Sequence, residues 1–343
     1  MSAQNTHNAP IDLDALVQAL QGGSGVAHKR DIADVVEALG IGGDSAVAVG
    51  DDCAAIVEPH GQGHLLLAIE GFIPAFVERD PWFAGWCGVM VNVSDIYAMG
   101  GRPLAIVNAL WSRGGAATQA LLDGMRAAAQ CYQVPVVGGH SNLRCDGAQL
   151  AVAILGRAKR LLTSFDAQPG DVLMAAIDLR GAYRAPFAHW NCTTGIDPER
   201  LRGDLERLPM LAEEGLCRSA KDISQAGVLG TVLMLLECSG VGAELDVAAV
   251  PHPDGVDPLR WLTATFPSFG YVLAVAPEHR ALVAQGFADR GIACAAIGRC
   301  DDTRQLVLRQ GAGSRTAWDF SRQPLTGCAP MGGANNVAEK RCA

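Results

Sequence analysis

Apolar positions recur along this chain with two periods, one helical and one extended, and together they predict a mixed α/β (α+β) fold. The clearest helical stretch places Trp82, Trp86, Val89, Val93 and Ile96 on one face. Gly100-Gly101 end that helix and Pro103 prevents its restart. Before it, Ile11 to Leu20 and Asp31 to Leu39 read as short helices, separated by a glycine-rich loop from Gln21 to Arg30. Strand-like runs are expected over Ala46 to Val49, Cys53 to Val57, Leu65 to Ile69, Leu104 to Trp111, Val134 to Val137 and Leu150 to Leu155. A helix from Ala116 to Tyr132 separates the runs Leu104 to Trp111 and Val134 to Val137.

A turn at Gln168-Pro-Gly-Asp171 opens a second region, and the strand Val172 to Ala176 follows it. Tyr183 to Leu208 is polar and aromatic-rich, with no clear period. Asp222 stands at a strand end, Ser224 is placed to cap a helix running to Cys238, and a strand continues through Val247. Strand, helix and strand are then expected at Tyr271 to Val275, Pro277 to Arg290 and Ala293 to Ile297. Gly311 onward shows little pattern, and Pro330 to Ala343 reads as a loose tail. The division that follows is residues 1–44 as helices and loop, 45–157 and 158–310 as two domains, and 311–343 as a tail.

Composition narrows the function. The 343 residues are 49% hydrophobic and 18% charged, enough for a large core. A net charge of −9, without a basic run, argues against nucleic-acid binding, which needs clustered Lys and Arg. No apolar run reaches membrane-spanning length, and Met1 to Pro10 lacks the pattern of a signal peptide. The 11 cysteines are scattered, with no Cys-x-x-Cys pair, so a reducing cytoplasm is expected and a zinc site is not.

Against this background a few polar groups stand out. Asn92, Asp95 and Met99 follow one another along the flank of the central helix, and a carboxylate so near a core is either hydrogen-bonded within the protein or faces a cation. Asp51 and Asp52 are adjacent carboxylates between apolar runs, either a polar turn or a pair holding a cation. Gly138-Gly139-His140-Ser141 ends a strand with a glycine pair that lets backbone amides approach a ligand. Lys29 follows a glycine-rich stretch whose spacing is not that of a Walker A loop.

Four of these stretches, in order, resemble the superfamily of aminoimidazole ribonucleotide (AIR) synthetase. That group includes selenophosphate synthetase, thiamine-monophosphate kinase, formylglycinamidine ribonucleotide synthetase and the hydrogenase-maturation dehydratase. The stretches are Gly50 to Ile56, Asn92 to Pro103, Val136 to Ser141, and Asp222 to Leu229 continuing to Ser239-Gly-Val-Gly-Ala-Glu244. Ser94 to Gly101 and Val136 to Ser141 are most similar to selenophosphate synthetase, although Gly22 to Lys29 lacks its reactive Cys.

The resemblance implies a mixed-sheet amino-terminal domain that pairs into a homodimer, an α/β second domain, and ATP in the groove between domains and across the dimer. It implies Mg2+ held by Asp51, Asp52, Asp95 and Asp222, with Asn92 supporting that shell. Gly138, Gly139, His140 and Ser141 would face nucleotide and substrate, and Lys29 would fold over the phosphates. The implied reaction is phosphoryl transfer to an amide or carbonyl oxygen, or a similar group, of a small metabolite. Three other readings stay open: a non-catalytic nucleotide-binding subunit, a simple small-molecule kinase, and a dikinase like selenophosphate synthetase. Glu70 stands where family members commonly have Asp, and Cys342 is penultimate where the dehydratase ends in Cys.

Overall fold

A computed structural model of the chain describes residues 11–41, 45–58 and 61–328. Helices α1 (Leu13–Gly22) and α2 (Ser24–Leu39) come first. Then follow β1 (Ala54–Val57), β2 (His64–Phe72), α3 (Pro74–Arg79), α4 (Pro81–Ala98), β3 (Arg102–Trp111), α5 (Gly115–Tyr132), β4 (Val136–Asn142) and β5 (Gln149–Ala158). These five strands form one sheet in the order β1-β2-β5-β3-β4, antiparallel except for the parallel pair β3 and β4.

The central helix α4 packs with α5 against one face of this sheet, and nearly all of its side chains are buried. Leu66, Ala68, Ile106, Val152 and Ile154 meet it from the strands. The helix stops where expected, with Gly100 in the left-handed region at φ +72°. Among the described residues nothing covers the opposite face of the sheet. Ile56, Leu67, Ile69, Val107 and Leu155 all point from it, as the strand register requires.

The second region continues with β6 (Val172–Ile177), β7 (Ala182–Tyr183), β8 (His189–Asn191), α6 (Pro198–Leu205), α7 (Arg207–Glu213), β9 (Ser219–Asp222) and α8 (Gly227–Ser239). It ends with β10 (Gly242–Asp246), α9 (Pro258–Thr263), β11 (Phe266–Pro267), β12 (Gly270–Val275), α10 (Arg280–Ala288), β13 (Ala293–Asp301), β14 (Gln305–Gln310) and β15 (Gly313–Asp319). Seven of these strands form a sheet ordered β15-β14-β10-β13-β6-β12-β9, and β11-β8-β7 form a small separate one.

Several local expectations are corrected. Gln21 to Arg30 is not a loop: only Gly23 breaks the helices, at ψ 140°, and α2 runs through Gly25 and Lys29. Gly25 is there for close approach, because a Cβ would meet the Ala226 backbone nitrogen at 2.5 Å. Gly138 to Ser141 are edge-strand residues of β4 rather than a turn, paired with β3. Ala46 to Val49 form no strand. Ser224 does not cap α8; Ala226, at φ 88°, is the residue preceding it. The patternless stretch after Gly311 contains β15, an edge strand whose exposed positions leave no alternation to read. Pro330 to Ala343, Cys342 among them, lies outside the described residues.

Candidate active site

A cavity of about 480 Å³ opens where the two sheets meet, lined from α2, the 49–52 loop, β2, α4, β9 and the 187–189 and 266–267 segments. Three carboxylates converge there: the loop brings Asp52, the last buried turns of α4 bring Asp95, and the end of β9 brings Asp222. One oxygen of each lies within 4.8 Å of the others. Burial in the apolar surround of α4 raises the Asp95 pKa well above the ordinary carboxylate value, and the charge of Asp222 adds to it. Burial, then the charge of Asp52, pushes Asp222 up to about 7.

A lysine stands against this acidic group. Lys221 Nζ donates to Asp52 Oδ1 at 2.5 Å and to the Gly50 carbonyl at 3.4 Å. Burial alone would depress its ammonium group, but Asp52 and Asp51 outweigh that and hold its pKa above the ordinary lysine value. Lys29 reaches in from α2, donating to Ser224 Oγ at 3.3 Å. Desolvation in the cleft, then repulsion from Lys221, lowers its pKa.

The remaining candidate residues are placed differently. Asp51 lines the cavity but is engaged by Ser164, accepting from its backbone nitrogen at 2.8 Å and its hydroxyl at 2.7 Å. Burial raises its pKa to about 6. Asn92 is fully buried one turn before Asp95; its Nδ2 donates to the Gly88 carbonyl at 2.8 Å, and its Oδ1 has no hydrogen-bond partner among the described residues. Gly138, Gly139, His140 and Ser141 are exposed on β4 and do not line the cavity of their own chain. Glu70 lines it from within β2 rather than from the strand's end.

Sequence reasoning missed Lys221, Ser164 and Thr326. The available signal for Lys221 is a positive charge directly before Asp222, at a strand end. Thr326 lines the cavity because the chain after β15 returns across the carboxy-terminal end of α8. There the buried Glu237 carboxylate accepts from the backbone nitrogens of Leu325 at 2.6 Å and Thr326 at 2.7 Å, and from Thr326 Oγ1 at 2.6 Å. Cys328 follows, so close to Gly50 that a Cβ on that glycine would meet its sulfur at 2.6 Å.

Carboxylates suit a hard divalent cation, and this set tests well for one. Three like charges within 4.8 Å repel unless protonated or bridged, and the raised pKa values of Asp95 and Asp222 reflect that cost. Two family models match the chain, the AIR synthase related protein N-terminal domain over residues 50–158 and the AIR synthase related protein C-terminal domain over residues 136–310. The chain belongs to the AIR synthase related family. Within it, the chain is 46% identical to the uncharacterized protein sll0787 of Synechocystis sp. over 321 residues, 92% of this chain and 98% of that protein.

Solved structures of the family share the fold. The Thermotoga maritima PurL complex with ADP superposes with a TM-score of 0.70 at 16% identity, covering 93% of this chain and 52% of the longer PurL chain. AaThiL complexed with AMPPCP and TMP superposes with a TM-score of 0.63 at 17% identity, covering 84% of this chain and 96% of that one. Among the described residues no helix is long and apolar enough to cross a membrane.

Proposed function

We propose that this protein is an ATP- and Mg2+-dependent phosphotransferase acting on a small molecule, with Asp52, Asp95 and Asp222 as the metal ligands. The observation that carries this reading is the convergence of those three carboxylates beside two lysines, at the junction of the two sheets. The two solved relatives, one complexed with ADP and the other with AMPPCP, support it. Bound there, Mg2+ would neutralise triphosphate charge that an acidic protein otherwise repels.

The chain's own residues have separable tasks. Lys221 neutralises Asp52 and fixes the 50–52 loop, while Asp51 is spent on anchoring that loop to Ser164. Lys29, half-buried and free to turn from Ser224, is the cation placed to contact phosphate oxygens. Positioning and charge neutralisation are what phosphoryl transfer asks of a protein.

The uncovered apolar face of the first sheet supports a homodimer. A patch holding Ile56, Leu67, Ile69, Val107 and Leu155 on one face is costly to leave in water. In such a pair Gly138, Gly139, His140 and Ser141, exposed at the edge of the same sheet, become available to a nucleotide bound by the other copy.

The test is Mg-ATP turnover with candidate acceptors in wild type and Asp95→Asn. Turnover is expected to fall by roughly 10²-fold or more in the folded variant, in line with the loss of a directed electrostatic contact. Normal turnover by Asp95→Asn overturns the metal assignment. Tight Mg-ATP binding without turnover on any acceptor would favour a non-catalytic nucleotide-binding subunit.

A further inference from the structure

The carboxylates occupy only one end of the cavity. Helix α4 lies along it as a ruler, since Cys87, Met90, Val91, Ser94 and Asp95 all line it. Eight residues separate Cys87 from Asp95, which at the helical rise is about 12 Å. The far end is built differently from the near one. Phe76 and Phe187 meet edge to face there at 4.7 Å between ring centroids, and Phe266 meets the His189 ring at 4.8 Å. The cationic side chains lining the cavity are Lys29 and Lys221, and both belong to the carboxylate end. Arg184, the nearby guanidinium, is turned to Asp80 at 2.7 Å and stacked over Phe83.

His189, itself buried, lines this aromatic end. His189 Nε2 lies 2.7 Å from Ser268 Oγ, and Ser268 Oγ in turn donates to the Trp190 carbonyl at 3.3 Å. Assigning the serine proton to that carbonyl gives Nε2 the ring hydrogen and leaves Nδ1 its lone pair. The one protein partner of Nδ1 is the Cys87 sulfur at 4.0 Å, a weak contact. Burial, and the charge of Arg184, hold the ring neutral with a pKa lowered to about 3. A second phosphate or a carboxylate at this end would be buried without a counter-charge.

We propose that the acceptor is a small planar molecule, uncharged at its distal end, whose aromatic or heteroaromatic ring sits among Phe76, Phe187 and Phe266 and donates an N–H or O–H to His189 Nδ1. This makes His189 a specificity-determining residue. The proposal rests on the phosphotransferase reading for the direction in which the acceptor lies, but the ring site itself can be tested without nucleotide.

The experiment is calorimetric or ligand-observed NMR titration of the full chain with benzimidazole, 1-methylbenzimidazole and phenyl phosphate as probes. Benzimidazole is expected to bind at least fivefold more tightly than its methylated form and than phenyl phosphate. His189→Phe keeps the bulk but removes the acceptor, and is expected to erase the methyl discrimination; Phe187→Ala is expected to weaken benzimidazole at least fivefold. Tighter binding of phenyl phosphate, equal binding of the two benzimidazoles to wild type, or discrimination that survives in His189→Phe overturns the proposal. Should His189→Phe fail to fold, the comparison of the probe pair on wild type still decides. Benzimidazole binding that persists in Asp95→Asn, with no turnover of Mg-ATP by wild type, would sink the phosphotransferase reading alone and leave the ring site standing.

Discussion

Lys221 on β9 and Asp52 on the 50–52 loop form an ion pair across the junction of the two sheets, at 2.5 Å, with side chains only 5% and 6% exposed. Breaking a buried pair costs more than the pair contributes, because one charge is left without its partner. Lys221→Met should destabilise the protein by about 3–5 kcal/mol, measured by urea unfolding. The double variant Lys221→Met/Asp52→Asn should recover most of that loss. A double variant no more stable than the single one would show that Lys221 acts through packing instead.

The three converging carboxylates should make stability respond to Mg2+. At a hundredfold excess over its dissociation constant the ion should add about 2.7 kcal/mol, seen as a rise in Tm. Asp95→Asn and Asp222→Asn relieve like-charge repulsion, so without metal each should melt at or above the wild-type temperature. With Mg2+ each should show little further rise. Variants that melt lower without metal and still gain from Mg2+ would contradict this ligand set.

His189 supplies a pH dependence of known sign. Its pKa is depressed to about 3 in the folded chain, so below about 6.5 the unfolded chain takes up a proton that the folded chain does not. Its stabilising contribution is complete above about pH 6.5 and declines as pH falls toward 3, by up to about 1.4 kcal/mol per unit. At pH 7, 6 and 5 the unfolding free energy of wild type should therefore fall progressively relative to that of His189→Phe. Parallel pH profiles would mean that the ring titrates alike in the folded and unfolded chain.

Glu237 holds residues 325–327 through hydrogen bonds to backbone donors and to Thr326 Oγ1. Removing a buried acceptor strands those donors at about 1–3 kcal/mol. Glu237→Ala should raise amide hydrogen exchange at Thr326 and Gly327, and weaken Mg-ATP, while the exchange of α4 stays slow. Unchanged protection at those amides would show that the segment is held by other contacts.

The sequence made the scaffold of the site readable and its wiring less so. Helix α4 is apolar on nearly every side, so Asp95 is conspicuous, and paired glycines mark its end. Asp52 is conspicuous as a carboxylate directly before the apolar run Cys53 to Val57, and Asp222 only through its place at a strand end and the resemblance of the stretch that follows it. Helix α2 was hidden by Gly25, which local propensity counts as a helix breaker but which is needed where the helix meets Ala226. The β4 glycines read as a turn because a glycine pair usually marks one; in the fold Gly139 lies where a Cβ would strike the backbone of the neighbouring strand at Asn108. The bond between Ser164 and Asp51 spans 113 positions, and no local pattern reports such a partner. His189 falls in a stretch without a clear period, since its order comes from the short pairings of β8 with β7 and β11.

The strap around Thr326 carries a consequence for synthesis. The cavity is lined by positions from Lys29 to Thr326, so a chain emerging from the ribosome holds every carboxylate of the group long before it holds the segment that Glu237 clasps. Until that segment arrives, the buried Glu237 charge and the Gly50 loop stand open to water. The cavity is therefore complete only after residues 325–327 have been made, late in the synthesis of the chain.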